Sequence, residues 1–134
     1  MASGRELLRE EDAAFLEDRG IDFDAAPENN MICLVLREIC LPAGYNRRTV
    51  DLLLRLPLQF PDAAPDMFWM DPAVLYANGG VPLNTSPELI LGRTWQRWSR
   101  HFSSSPWRPG IDNLQSFYRL IKTTLEREVL SRAA

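Results

Sequence analysis

Pro57, Pro61 and Pro65 recur at four-residue spacing through the middle of the chain, and no other feature constrains the fold as tightly. Each proline removes a backbone donor and keeps the residue before it out of the helical region, so neither a helix nor a central strand can run through the stretch. Residues 57–65 must therefore be an extended loop of defined shape. Phe60-Pro61, an aromatic-proline bond, is a candidate for the cis isomer.

The flanks of this loop read as strands. Val50, Leu52, Leu54 and Leu56 share one parity while Asp51 and Arg55 take the other, with Leu53 the exception, so Thr49 to Pro57 has one face on a core. Met31 to Leu36 is a continuous apolar run that suits a central strand, followed by a turn through Leu41-Pro42. Beyond the loop, Met67 to Met70 makes a third short strand, stopped by Asp71-Pro72.

The ends read as helices. Ser3 to Gly20 is a short helix with a capping-box spacing at Ser3 and Glu6, a stop at Gly20 and a patchy apolar face of Leu7, Leu8, Phe15 and Leu16. Gly20 to Asn30, with Pro27 and the Asn29-Asn30 pair, is a turn-rich connection. Residues 71–92 carry Pro72, Pro82, Pro87 and Gly79-Gly80 with little periodicity, the mark of a functional loop. Trp95, Trp98 and Phe102 fall at i, i+3 and i+7, which fits one or two helical turns sharing an aromatic face before Ser103-Ser104-Ser105-Pro106 breaks it. Asp112 and Gln115 cap a final amphipathic helix of about five turns through Leu114, Phe117, Tyr118, Ile121, Leu125 and Val129. Short connections between successive strands, with a helix at each end, give an α+β fold built on an antiparallel meander.

Composition narrows the function classes. A chain of 134 residues with 46% hydrophobic and 25% charged residues fits one domain spanning residues 1–134. The longest apolar run, Met31 to Leu36, is far short of the roughly 20 residues of a membrane span. The N-terminus lacks the apolar core of a secretory signal, so a cytoplasmic protein is expected. Two cysteines without CxxC spacing make neither a disulfide framework nor a zinc site, and no metal or cofactor is implied. Residues 1–30 hold nine acids against Arg5, Arg9 and Arg19, a local net of −6, whereas residues 93–109 carry Arg93, Arg97, Arg100 and Arg108 and no acid. The overall charge of −3 argues against a nucleic-acid binder; the basic stretch suits an acidic protein partner. Fourteen of the fifteen basic residues are arginine, leaving Lys122 as the one ε-amine.

The run from Leu56 to Phe68, with its three prolines, resembles the proline loop and following strand of the ubiquitin-conjugating enzyme fold. Trp107-Arg108-Pro109-Gly110 ahead of the last helix resembles that fold's Trp-x-Pro element. More narrowly, Leu41 to Asn46, Val50 to Leu53, Pro65 to Trp69 and above all Trp95 to His101 resemble prokaryotic family E of that superfamily, over about residues 31–130. The resemblance implies a component of a bacterial ubiquitin-like pathway. Its partners would be a ubiquitin-like or multi-ubiquitin-like protein and the adenylating enzyme that activates it, with a metallopeptidase encoded nearby. It also implies a thioester-bearing cysteine in the loop before Trp107, near an asparagine. Here no cysteine follows Cys40, no His-Pro-Asn triplet precedes the loop, and Trp98, Ser99, Arg100 and His101 occupy the place of the thiol. A thiolate is a strong nucleophile near neutral pH and its thioester stays reactive toward amines. Serine would give a sluggish oxyester and imidazole an acyl group open to hydrolysis.

Several residues are therefore candidates. His101, the only histidine, reads as a general base, as an acceptor of a carboxylate, or as a structural hydrogen-bonder of the loop. Ser99 could be a nucleophile with His101 only if an orienting acid joined them, the pattern of a small hydrolase. Cys33 suits the core, and Cys40, nearer a turn, is the better displaced thiol. Trp95 and Trp98, with Arg97 and Arg100, read as a partner-binding surface, and equally as a small core and a solvated face; Trp107 reads as core. Arg93, Arg97 and Arg100 suit a ubiquitin-like C-terminal carboxylate, and Asp66 and Asp71 are placed to pair with these arginines. Three functions follow: an adaptor that has lost its carrier thiol, a conjugating enzyme with Cys40 or His101 as acceptor, or an unrelated small hydrolase built on Ser99 and His101.

Overall fold

The computed structural model describes residues 3–102 and 106–133. The serine run expected to break the chain before Pro106 lies outside the described residues. Six antiparallel strands make one sheet: β1 (Phe23–Glu28), β2 (Met31–Cys40), β3 (Thr49–Pro57), β4 (Phe68–Asp71), β5 (Thr85–Ile90) and β6 (Arg93–Trp98), in the order β1-β2-β3-β4-β6-β5. Helices α1 (Glu10–Asp18) and α2 (Leu114–Ala133) belong to the ends of the chain. The α+β meander read from the sequence is present through β4, after which a β5–β6 hairpin docks with β6 against β4.

Strand parity decides what each residue buries. Val50, Leu52, Leu54 and Leu56 of β3 enter the main core with Phe68, Met70 and Trp98, where Leu16 of α1 and Leu114, Phe117, Ile121 and Leu125 of α2 cover them. Leu53 joins Cys33, Trp69, Ile90 and Trp95 in a second cluster on the opposite face of the sheet. In β2 the inward parity switches from Leu34 and Leu36 to Ile39, because a bulge adds one residue between Leu36 and Ile39. Glu38, at φ 51°, sits in that bulge and donates its N–H to Asp51 Oδ1 at 3.1 Å.

Four expectations need correction. The connection from Gly20 to Asn30 contains β1, joined to β2 by Asn29 and Asn30, both at positive φ as a tight hairpin requires. The loop over residues 71–92 contains β5, turned into β6 through Leu91 and Gly92 in the same conformation. Residues 95–98 are strand, not helix, so the three-residue spacing puts Trp95 and Trp98 on opposite faces of the sheet. The first helix is shorter: a 3-10 turn covers Arg5–Leu7, and α1 starts only after Arg9. Ser3 does not cap it, since its hydroxyl donates to Asp24 at 2.8 Å and its backbone bridges to β1. Gly4 makes that approach with φ 75°, where a Cβ would lie 2.0 Å from the Ala25 carbonyl oxygen.

At α2 the cap lies one residue further on than the sequence suggests. Asn113 Oδ1 accepts the Ser116 N–H at 3.0 Å and Ser116 Oγ accepts the Asn113 N–H at 2.9 Å, a reciprocal box. Asp112 instead accepts the Arg108 N–H at 2.8 Å. Phe60-Pro61 is cis, the isomer considered for it, as is Asp71-Pro72.

Candidate functional site

The proline loop is pinned by Trp107, whose indole N–H donates to the Pro61 carbonyl at 2.7 Å while its ring meets Phe60 at 6.1 Å and Phe117 at 6.3 Å. The pin leaves an open groove of about 710 Å³ between the end of the loop and α2, walled by Pro65, Phe102, Trp107, Phe117 and Leu120. Asp66, Arg108 and Asp112 supply its polar rim. The Arg108 backbone N–H, together with its guanidinium, holds the Asp112 carboxyl below the usual carboxylate range.

His101 is not among the residues that wall the groove and meets it through Asp66 on the rim. Its Nδ1 lies 3.0 Å from Asp66 Oδ2, with the two side chains 65% and 50% exposed. Asp66 Oδ1 accepts the N–H groups of Met67 at 3.1 Å and Phe102 at 3.4 Å. The Met67 N–H also reaches the Arg100 carbonyl at 3.2 Å, so the start of β4 and the chain after β6 are laced together here. Asp66 thus pairs with the histidine, not with an arginine, whereas Asp71 takes Arg93 at 2.6 Å. The imidazole is thus held through Nδ1 by a carboxylate that two backbone N–H groups fix in place.

Ser99 serves a different place. It lines a smaller cavity of about 270 Å³ with Tyr76, Asn84, Arg100 and Glu128, and its N–H donates to the Asn84 carbonyl at 3.0 Å. Among the described residues no hydrogen bond joins Ser99 to His101. Arg100 closes onto Glu128 through two bonds of 2.6 and 2.8 Å and lies over Trp98, its centre 5.0 Å from the ring. Trp98 itself is fully buried, and its indole N–H donates to Gln96 at 3.0 Å. Trp95 is buried on the far face beneath the Arg93 guanidinium. Arg97, half-exposed on that face, reaches Glu88 only at 4.0 Å, and its Nε has no partner among the described residues. Of the residues read as a partner-binding set, Arg97 is the one with accessible charge. The basic run is largely neutralised within the fold, Arg108 by Asp112 included.

The thiols lie elsewhere. Cys33 is buried in the second cluster and burial pushes its thiol up. Cys40 is exposed at the far end of β2, where its carbonyl accepts the Lys122 ammonium. Cys40 pairs with Thr49 at the start of β3, whereas Trp69 pairs with Leu53, about 13 Å further along the strand, with Asp66 beyond it in the chain.

Sequence reasoning named Asp66 but not its partner, and missed Glu128 and Asn84 entirely. Asp66 and His101 are 35 residues apart and meet only because β6 is inserted beside β4. Glu128 carried no signal, being one acid among others on the last helix.

With this geometry in view, the model of prokaryotic E2 family E matches residues 8–128. The chain belongs to prokaryotic E2 family E. No curated protein and no solved structure matches it. For this family member the match begins just ahead of α1 and ends in α2, so it takes in the proline loop, the Asp66–His101 pair and the groove. Membership gives the chain a ubiquitin-conjugating-like role. Among the described residues, no three His, Cys, Asp or Glu side chains gather as a metal site, and no helix is long and apolar enough to cross a membrane.

Proposed function

We propose that this E2 family member works without a carrier thiol, as an adaptor that brings a ubiquitin-like protein, including one of several fused ubiquitin-like units, together with its adenylating activating enzyme. One observation supports the reading: no cysteine follows Cys40, and the stretch Trp98 to His101, which the family resemblance puts in the place of the carrier thiol, holds none. The exposed groove between the proline loop and α2 would take the extended C-terminal segment of the ubiquitin-like partner, with Asp66 on its rim and His101 beside Asp66. Arg97 supplies accessible positive charge on the outer face of the sheet.

The second reading, an acceptor thiol at Cys40, is favoured only by the exposure of that residue. Incubation with the ubiquitin-like partner, its activating enzyme and ATP separates the two on a non-reducing gel. The adaptor reading predicts co-elution of the three proteins with no thiol-sensitive adduct on this chain. An adduct abolished by Cys40→Ala would replace it with the second reading.

A further inference from the structure

β1 is an edge of the sheet, and an edge strand offers its outward N–H and C=O groups to any strand that can align with them. Here the chain occupies those groups itself. Ser3 donates its N–H to the Phe23 carbonyl at 3.3 Å and accepts the Ala25 N–H at 2.8 Å, bridging β1 in parallel register opposite Asp24, and its hydroxyl adds the bond to the Asp24 carboxylate. Alternation turns Pro27 the same way as Phe23 and Ala25, and a proline has no N–H to offer. One residue of cover is therefore enough. Gly4 makes the cover possible: at φ 75° it leads the chain off into the 3-10 turn, and any side chain there would drive into the Ala25 carbonyl.

The groups that Ser3 takes up are self-complementary. Two β1 strands related by a twofold axis at Asp24 would bring Phe23 of each opposite Ala25 of the other, and each such pair would exchange the N–H and C=O bonds of an antiparallel ladder. Arg37, already paired with Asp24, would offset the two carboxylates that meet at the axis. We propose that Ser3 and Gly4 form an intramolecular strap that closes the β1 edge against pairing with the β1 of a second copy, and that releasing the strap converts the chain to a β1-paired dimer. The inference is independent of the adaptor reading, since it involves neither the groove nor His101.

Gly4→Val in the full chain tests this, because its side chain would stand where the Ala25 carbonyl is and disfavours the positive φ, so the strap must leave β1. In sedimentation velocity over a concentration series, Gly4→Val should dimerise at least about tenfold more tightly than the parent, the scale set by two backbone hydrogen bonds that no longer compete. Amide hydrogen exchange read by NMR should find the Ala25 N–H protected at every concentration in the parent, and only at dimer-forming concentrations in Gly4→Val. Ser3→Pro removes the strap's N–H, leaves Gly4 and β1 in place, and should shift the association in the same direction. The proposal is overturned by a Gly4→Val that associates no more tightly than the parent, by association without concentration-dependent protection at Ala25, or by a Ser3→Pro variant with the parent's melting and the parent's association.

Discussion

Trp107 shows how one side chain organises the site. Its indole N–H satisfies the Pro61 carbonyl, and its ring separates the loop from α2. Trp107→Phe keeps the ring and removes the donor, so it should cost about 1–2 kcal/mol in urea denaturation. Asp112 gives a pH signature at the same rim. Its carboxyl is held low chiefly by the Arg108 backbone N–H, so its contribution to stability is complete above the usual aspartate value of about 4 and disappears as pH falls through the lower folded-state value. Asp112→Asn should therefore lose less stability than the parent on acidification below about pH 4, measured as urea midpoints; parallel acid limbs would show that the carboxylate contributes nothing. The two cysteines should also part in reactivity, Cys40 alkylating in the native protein and Cys33 only on unfolding, as quantified by iodoacetamide labelling.

At the scale of elements, the readable strands were the central ones. Alternation in β3 and the apolar run in β2 followed from burial on one or both faces, and even the exceptional Leu53 has its reason in the second cluster. Leu53→Ala should cost about 2–5 kcal/mol by chemical denaturation, a core value on a face without a covering helix. Of the three strands that sequence reading missed, β6 was taken for helix, while β1 and β5 are both edges of the sheet and both contain a proline, Pro27 and Pro87. An edge tolerates a proline because one side of the strand donates no ladder bonds, so the residue that argues against a central strand is compatible with an edge. The helical reading of residues 95–102 failed because both faces of β6 are buried, so that aromatic residues three apart pack on opposite sides of a strand as readily as on one side of a helix, and pairing with β4 decides for the strand. Pro87→Thr should restore a free N–H on an edge that already exposes Leu89, and sedimentation velocity should detect more self-association than in the parent.

Across the molecule, folding both creates the candidate site and retires much of the sequence-level charge pattern. The proline loop, the Trp107 element and His101 were legible as residues, and their family resemblance was legible with them. The Asp66–His101 contact was not, because it depends on β6 lying next to β4 across a non-sequential sheet order. The arginine run that looks like a basic patch in the sequence is drawn into pairs with Asp51, Asp71, Glu128 and Asp112. What stays accessible at this end of the fold is a groove and an imidazole, while the exposed thiol lies at the other end of β3. Intact-mass measurement of this chain after charging with the ubiquitin-like protein, activating enzyme and ATP tests that arrangement most directly. The account predicts the unmodified mass throughout, in a sample where the three proteins co-elute. A mass increase equal to the ubiquitin-like protein less one water, reversed by thiol and absent from Cys40→Ala, would contradict it.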